Sequence, residues 1–244
     1  MSKKKLLSLA LVVIMIAILS FSTLAWFTSQ DEVTNKFTIH DSLNSFEVDV
    51  WEEVKTDGTT ITEVGKGNRE DSQPIPGATY EKILPEVEYL KTVHVENTSG
   101  NVLAGQYIMV EVTFTNYSAL EKLGENNANY DCTGMLIGNK FSSEKTADVN
   151  WWYDTSATTY DTGANTATYK FYLKSVLEDG EESVLFDKFM LPETMDIDDV
   201  AKLASGFDIQ IVAYAIQSAN LKDPAGTTEL DNAIYAFKQQ TSTP

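Results

Sequence analysis

The sequence predicts an all-β protein, a jelly-roll-like β-sandwich with short helical insertions that is preceded by an N-terminal signal helix. Three observations support this prediction. Apolar and polar residues alternate in several short runs, which is the period of a half-buried strand. Turn residues separate these runs at irregular spacing, and no internal repeat is present. The first 25 residues have a different character, with three lysines followed by a mostly apolar stretch.

The first 25 residues contain the parts of a secretory signal peptide. Residues 3–5 are lysines, and residues 6–19 form an apolar stretch interrupted only by one serine. Small residues follow, with Thr23 and Ala25 at the positions that a signal peptidase reads if it cleaves between Ala25 and Trp26. The alternative is an uncleaved anchor, because the apolar stretch and its continuation are long enough for a helix to span about 30 Å of hydrocarbon.

Residues 26–244 are predicted to form a single domain whose strands follow the alternation. In residues 106–114, the side chains of Ile108, Val110, Val112 and Phe114 are expected to face the core. Residues 207–216 are apolar on both faces, which indicates a central strand. Further strands are predicted at residues 46–51, 88–95, 151–153, 168–173 and 183–191, and a short hairpin at residues 59–64.

Short helices are predicted between and after the strands, at residues 118–124, 197–204 and 230–238. Residues 116–148 contain little alternation and are interpreted as an insertion between two strands. The 219 residues after Ala25 are enough for one domain that buries about 70% of the surface of its unfolded chain.

The net charge and the single cysteine exclude some classes of partner and of covalent cross-link for this protein. The chain carries a formal charge of −18, and removal of residues 1–25 with their three lysines leaves −21. Such a polyanion repels phosphate groups, so no nucleic-acid partner is expected. The single cysteine, Cys132, cannot form an internal disulfide bond, and a buried, unreactive thiol is the preferred interpretation.

Several short segments resemble the TasA/camelysin family of exported proteins. Their order and spacing, over most of residues 20–222, carry the resemblance more than any single segment does. The chain departs from the family pattern at Glu86 and at His40-Asp41, where glycine is common. The matching segments are Ala25-Trp26-Phe27-Thr28, Asn35-Lys36-Phe37-Thr38-Ile39, Lys91–Asn97, Tyr107–Val112, Tyr169–Leu173, Leu177–Phe186 and Ala213–Ser218.

The resemblance implies a secreted structural protein of the extracellular or biofilm matrix or of the cell surface. It also implies export by a SipW-type signal peptidase, and partners that are further copies of the chain in a homopolymer or fibre, with an accessory matrix protein as an additional candidate. Family fibres are joined by strand donation, so residues 26–45 are a candidate N-terminal donor strand. The apolar side chains of this assembly strand are Trp26, Phe27, Val33, Phe37 and Ile39.

An exposed sheet edge presents unpaired N–H and C=O groups, with which an extended segment of a neighbouring subunit can pair. Cleavage after Ala25 would free such a segment. The alternative is that residues 26–39 complete the sandwich of their own chain.

No catalytic residue, metal ligand or cofactor site is predicted, so the chain is not expected to be an enzyme. Camelysin has been called a metalloprotease, but His40 and His94 are the only histidines and are 54 residues apart, without an H-E-x-x-H motif. A camelysin-like surface metallopeptidase remains the first alternative. A carbohydrate-binding surface module is the second, because aromatic side chains could stack on sugars, although core packing is preferred for Trp151, Trp152, Tyr153, Tyr160, Tyr169 and Tyr172.

Overall fold

The computed structural model describes residues 47–55, 60–66, 80, 83–100, 105–121, 130–192, 203, 206–218, 221 and 228–241, together with the backbone of residues 28–32. This part of the chain is mostly β-sheet, with two α-helices and two short 3₁₀ helices (Cys132–Met135 and Thr155–Ala157). The strands are β1 (Thr28–Glu32), β2 (Val48–Val54), β3 (Thr62–Val64), β4 (Glu88–Asn97), β5 (Gln106–Thr115), β6 (Leu136–Ile137), β7 (Phe141–Ser142), β8 (Trp151–Tyr153), β9 (Thr159–Asp161), β10 (Thr166–Leu173), β11 (Glu182–Met190) and β12 (Ile209–Gln217). The helices are α1 (Tyr117–Leu120) and α2 (Glu229–Thr241).

The strands form two sheets that pack against each other. The seven-stranded sheet has the order β1-β12-β5-β10-β8-β7, with β9 paired to β10, and the five-stranded sheet has the order β3-β2-β4-β11-β6. All pairs are antiparallel except β7 with β8. The chain crosses between the sheets several times, for example from β4 to β5 and from β10 to β11.

The inner faces of the two sheets share one hydrophobic core. Val50 and Val95 of the five-stranded sheet and Val110 and Ile211 of the seven-stranded sheet are fully buried in the same cluster. Because side chains alternate between the two faces of a strand, every second residue of each central strand enters this core. Burial of apolar surface on this scale is the main favourable contribution to folding.

A second, smaller cluster lies on the outer face of the seven-stranded sheet, where α2 covers it. The helix contributes Ala233, Ile234, Ala236 and Phe237, which pack against outward-facing side chains of three strands. Thr228 caps the N-terminus of the helix, because its hydroxyl accepts a hydrogen bond from the N–H of Asp231 at 3.1 Å. The strand residues beneath the helix are Tyr107, Met109, Tyr172 and Ile216.

The alternation in the sequence located most strands of the described region within two or three residues. Residues 106–114 become β5, with the predicted four side chains on the core face. Residues 207–216 become β12, which has a neighbouring strand on each side, as expected for a central strand. The C-terminal helix is longer than predicted, since it continues to Thr241.

Two predicted elements differ in the structure. The segment predicted as a hairpin at residues 59–64 supplies only β3, which pairs with β2. The interval 116–148, interpreted as an insertion, contains α1 and also two strands of two residues each, β6 in the five-stranded sheet and β7 in the seven-stranded sheet. Two residues are too few to show alternation, so neither strand could be predicted from its pattern. The predicted helix at residues 197–204 and the predicted signal helix lie outside the described residues, apart from Leu203.

Within the described part of the chain, no helix combines the length and the apolar character that a membrane crossing requires.

Candidate functional site

The N-terminal strand β1 forms one edge of the seven-stranded sheet. It runs antiparallel to β12, with Thr28 opposite Ile216 and Glu32 opposite Val212. The other side of β12 is paired with β5. In the described structure, β1 therefore covers a side of β12 that would otherwise be an open edge, whose N–H and C=O groups would have no partner in the sheet.

The predicted cleavage site and assembly side chains cannot be compared with this geometry. Ala25 and Trp26, as well as Phe27, Val33, Phe37 and Ile39, lie outside the described residues. What the structure does show is that Thr28–Glu32, within the predicted donor segment, pairs with the same chain. This arrangement corresponds to the alternative in which the segment completes its own sheet.

The second notable feature is an aromatic stack on the outer face of the five-stranded sheet. Trp51 of β2 lies directly opposite His94 of β4, and their rings are parallel, with centroids 3.8 Å apart and an interplanar angle of 7°. The Nζ of Lys66 lies 3.9 Å from the centre of the Trp51 ring. The strand predicted at residues 46–51 implies that Trp51 faces away from Val48 and Val50, and in the structure only the two valines belong to the main core. That Trp51 would nevertheless be buried was not foreseen.

His94 is enclosed by acidic side chains. Its exposed fraction is 7%, and its two ring nitrogens lie 4.0 Å from Glu53 Oε2 and 3.6 Å from Glu182 Oε1. His40 lies outside the described residues. Among the residues that the structure describes, no group of three or more His, Cys, Asp or Glu side chains is placed to hold a metal ion.

A buried ion pair lies on the inner face of the same sheet. Lys91 Nζ is 2.5 Å from Glu52 Oε1, and the two residues are 5% and 0% exposed. They occupy diagonal positions on β4 and β2, because Glu52 is opposite Val93. Removing two charges from water is costly, so each charge depends on its partner.

Cys132 lies in the main core beside a group of tyrosines. Its backbone N–H donates a hydrogen bond to the hydroxyl of Tyr169 at 3.0 Å, and Tyr169 and Tyr117 both donate to the carbonyl of Tyr130 at 3.3 Å. Burial raises the pKa of the Cys132 thiol to about 12. A thiol that stays protonated at neutral pH is a poor nucleophile, which agrees with the unreactive cysteine predicted from the sequence.

The aromatic residues considered for sugar binding are mostly in the interior. Trp151, Tyr153 and Tyr169 belong to the main core, and Tyr172 belongs to the cluster under α2. The Trp151 indole N–H also connects the two sheets, because it donates to Ser183 Oγ at 3.1 Å and to the Val184 carbonyl at 3.0 Å. The preferred interpretation, core packing, is confirmed for these four residues. Trp152 is half-buried, and Tyr160 is 38% exposed.

Comparisons with protein-family models, with curated proteins and with solved structures find no match to this chain.

Proposed function

We propose that the chain is an exported, non-catalytic structural protein of the extracellular matrix or cell surface, and that its N-terminal strand joins successive copies into a fibre. In this proposal, residues 1–25 are a signal helix that a SipW-type peptidase removes. The mature chain then adopts a jelly-roll-like sandwich, and its partners are further copies of itself and an accessory matrix protein.

The position of β1 is the observation that carries this proposal. The strand begins two residues after the proposed new N-terminus at Trp26, and it lies at the edge of a sheet. An edge strand is hydrogen-bonded to only one strand of its sheet, so it can leave without breaking any other ladder, although β1 would also give up its contacts with β2. Of the strands described, β1 is the one that export would release from a membrane segment.

Self-pairing and strand exchange are compatible, because they use the same backbone groups. When β1 leaves β12 and the β1 of a second copy enters, equivalent ladder hydrogen bonds replace those that were lost. The free subunit would then be the self-paired form seen here, and the fibre would be its exchanged form. The net preference would depend on the apolar side chains that flank β1, namely Trp26, Phe27, Val33, Phe37 and Ile39.

The register of β1 on β12 allows a disulfide test of exchange. Glu32 and Val212 are directly opposite, so cysteines at these positions in antiparallel strands are within the usual span of a disulfide bond. The native Cys132 is buried, with its thiol pKa raised to about 12, and should not compete.

Glu32→Cys and Val212→Cys proteins are prepared separately and mixed under conditions that give fibres. We expect a mixed disulfide between the two variants that grows with fibre mass. The double variant, oxidised as a monomer, should be trapped in the self-paired form and should not polymerise until it is reduced. As a matched control, Ser143→Cys, on an exposed loop beside the opposite edge of the sheet, should give no specific product with Glu32→Cys.

Fibre growth from the oxidised double variant would refute the strand-exchange mechanism. A truncation that starts near Ser42 tests the same mechanism independently, since it should fold but remain monomeric. Export is tested separately by N-terminal sequencing of the secreted protein, which should begin at Trp26. An intact Met1 form retained in the membrane would contradict cleavage.

A further inference from the structure

An amine and a carboxylate are held against each other in the interior of the sandwich. Lys91 Nζ lies 2.5 Å from Glu52 Oε1, and the two residues are 5% and 0% exposed. The strand ladder fixes this contact, because Glu52 on β2 is opposite Val93 on β4, two residues from Lys91. The two groups therefore stay together for as long as the five-stranded sheet is folded.

The approach of the nitrogen to the carboxyl group is also close enough for a reaction. Since a C–O bond is about 1.2 Å long, the carboxyl carbon of Glu52 lies within about 3.7 Å of Lys91 Nζ. Groups that are ready to react are typically about 3–3.5 Å apart. Apart from the contact with Lys91, neither oxygen of Glu52 has a hydrogen-bond partner among the described residues. No hydrogen bond to a third group therefore holds the carboxylate in its charged form.

The surroundings of this pair are apolar. Val50 and Val54 are the neighbours of Glu52 on the same face of β2, and Val93 lies opposite; all three are at most 2% exposed. A proton that passes from Nζ to the carboxylate leaves an amine and a carboxylic acid, both uncharged, and such surroundings favour uncharged groups. An uncharged amine is a nucleophile, and a buried site keeps out the water that would reverse its reaction with an acid.

Tyr80 supplies a protonated hydroxyl near the pair. The hydroxyl donates a hydrogen bond to the carbonyl of Leu90, the residue before Lys91. Burial, together with the charge of Glu52, raises the pKa of Tyr80, so its phenol remains protonated at neutral pH. A phenol in this position can pass a proton to an oxygen that leaves as water.

We propose that Lys91 and Glu52 condense to an amide, which is a covalent cross-link between β4 and β2. A bond forms between Lys91 Nζ and the carboxyl carbon of Glu52, and one C–O bond of that carboxyl group breaks. The released oxygen leaves as water with two of the three protons of the ammonium group, and the third proton stays on the amide nitrogen. The reaction needs no oxidant and no second substrate.

This cross-link would give the chain a covalent brace that it cannot obtain from its single cysteine. It closes the segment between residues 52 and 91 into a loop, which restricts the unfolded chain as a disulfide bond does. Condensation follows folding, because only the folded sheet brings the two groups together. Freshly synthesised protein still holds the ion pair, and unfolding experiments on that pair use this form. The proposal does not depend on export or on fibre assembly.

The test is the intact mass of the full chain, measured under denaturing conditions at intervals after synthesis. We expect a species that is lighter by one water molecule and that grows until it accounts for most of the protein. After digestion, the peptides that contain Glu52 and Lys91 should be recovered as one joined product. A wild-type chain that keeps its full mass after prolonged incubation would overturn the proposal, as would a loss of water that maps to other residues.

The same digest contains a matched control. Lys188 Nζ also lies 2.5 Å from a carboxylate oxygen, that of Glu88, but these side chains are 40% and 47% exposed. Their peptides should remain separate, because water solvates both charges. In Lys91→Arg the guanidinium keeps the positive charge but is a poor nucleophile, so this variant should keep its full mass. A joined Lys188–Glu88 product, or the same loss of water in Lys91→Arg, would contradict a reaction specific to the buried pair.

Discussion

Single residues with left-handed backbone conformation fix several turns of this fold. Glu86 has φ of 61° and lies before β4, where its N–H donates to the carbonyl of Leu191 at 3.1 Å. Its side chain is exposed, so no packing requires a glutamate there. A residue with a Cβ atom pays roughly 1 kcal/mol for this conformation, and glycine does not.

Glu86→Gly should accordingly be neutral or stabilising by about 0.5–1 kcal/mol, as measured by urea unfolding. The gain is smaller than the full strain energy because glycine also makes the unfolded chain more flexible. The matched control is Glu144→Gly, at an exposed loop residue without positive φ, which should destabilise or have no effect. A clear loss of stability in Glu86→Gly would show that its side chain has a role that the structure does not reveal.

The buried pair Lys91 and Glu52 allows a second prediction at this scale. Lys91→Met should cost about 3–5 kcal/mol of unfolding free energy, because it leaves the fully buried Glu52 carboxylate unpaired. The double variant Lys91→Met/Glu52→Leu should recover most of that loss, since replacement of a buried ion pair by apolar side chains is often neutral. Equal losses in the single and double variants would mean that the pair contributes through packing and not through charge.

Among the secondary-structure elements, α2 is the one whose contribution to the unfolding free energy can be measured most directly. It covers the outer face of the seven-stranded sheet, and its contacts include a hydrogen bond from the Tyr107 hydroxyl to Glu229 at 3.2 Å and an ion pair of Asp231 with Lys145. The helix is amphipathic, with Phe237 1% exposed and Tyr235 38% exposed. Most of the stability of such a helix comes from its packed face.

Phe237→Ala should therefore destabilise the protein by about 3–4 kcal/mol, as expected for removal of a large core side chain. Tyr235→Ala, two residues away in the same helix, should change the unfolding free energy by less than about 1 kcal/mol. Both variants place alanine in the same helix, so their helix propensities are alike. The difference between their unfolding free energies therefore reports the burial of the side chain that was removed. Similar small effects from both would show that the helix is not firmly docked in solution.

The edge strand β1 differs from α2 in what holds it. Five of its residues pair in register with β12, and the strand also contacts β2 of the other sheet. Hydrogen bonds of this kind are equivalent for any partner strand, which is why the proposed exchange between copies depends on flanking side chains and not on the ladder.

For the whole molecule, the buried tyrosines set an upper pH limit for the fold. Burial raises the pKa of Tyr130 and Tyr153 to about 12, and it raises the pKa values of Tyr117, Tyr169 and Tyr172 as well. An unfolded tyrosine ionises near pH 10. The protonated phenols therefore contribute stability that is complete below about pH 10 and is lost as the pH rises through the folded pKa values.

We expect cooperative unfolding in alkaline solution between about pH 10 and about pH 12, accompanied by the ultraviolet absorbance of phenolate. Tyr153→Phe removes one of the linked protons and should make the loss of stability with pH less steep. Tyr235→Phe, at an exposed position, should leave the profile unchanged. Ionisation of all tyrosines before any loss of β-sheet signal would contradict this linkage.

The net negative charge is also a property of the whole molecule. A formal charge of −18 keeps separate copies apart and is screened by salt. Part of this negative charge surrounds His94, because Glu53 and Glu182 on neighbouring strands both face its imidazole ring. The net charge follows from the composition, but the grouping of these carboxylates around His94 could not be predicted from it.

Most of the longer strands and their inward faces followed from alternation alone. β5, β10 and β12 were located from sequence because a pleated strand and the apolar pattern share a period of two. The C-terminal helix was found for the same kind of reason. These features are local, so a few consecutive residues contain the information that specifies them.

The pairing of strands and the candidate sites depended on contacts between residues far apart in the chain. Backbone ladders are chemically alike, so nothing in Thr28–Glu32 indicates β12 as its neighbour. Trp51 and His94 are likewise unremarkable until the register of β2 and β4 places them opposite each other and β11 brings Glu182 alongside. Register and sheet order arise from packing of the whole core, and only the folded chain brings these groups within reach of one another.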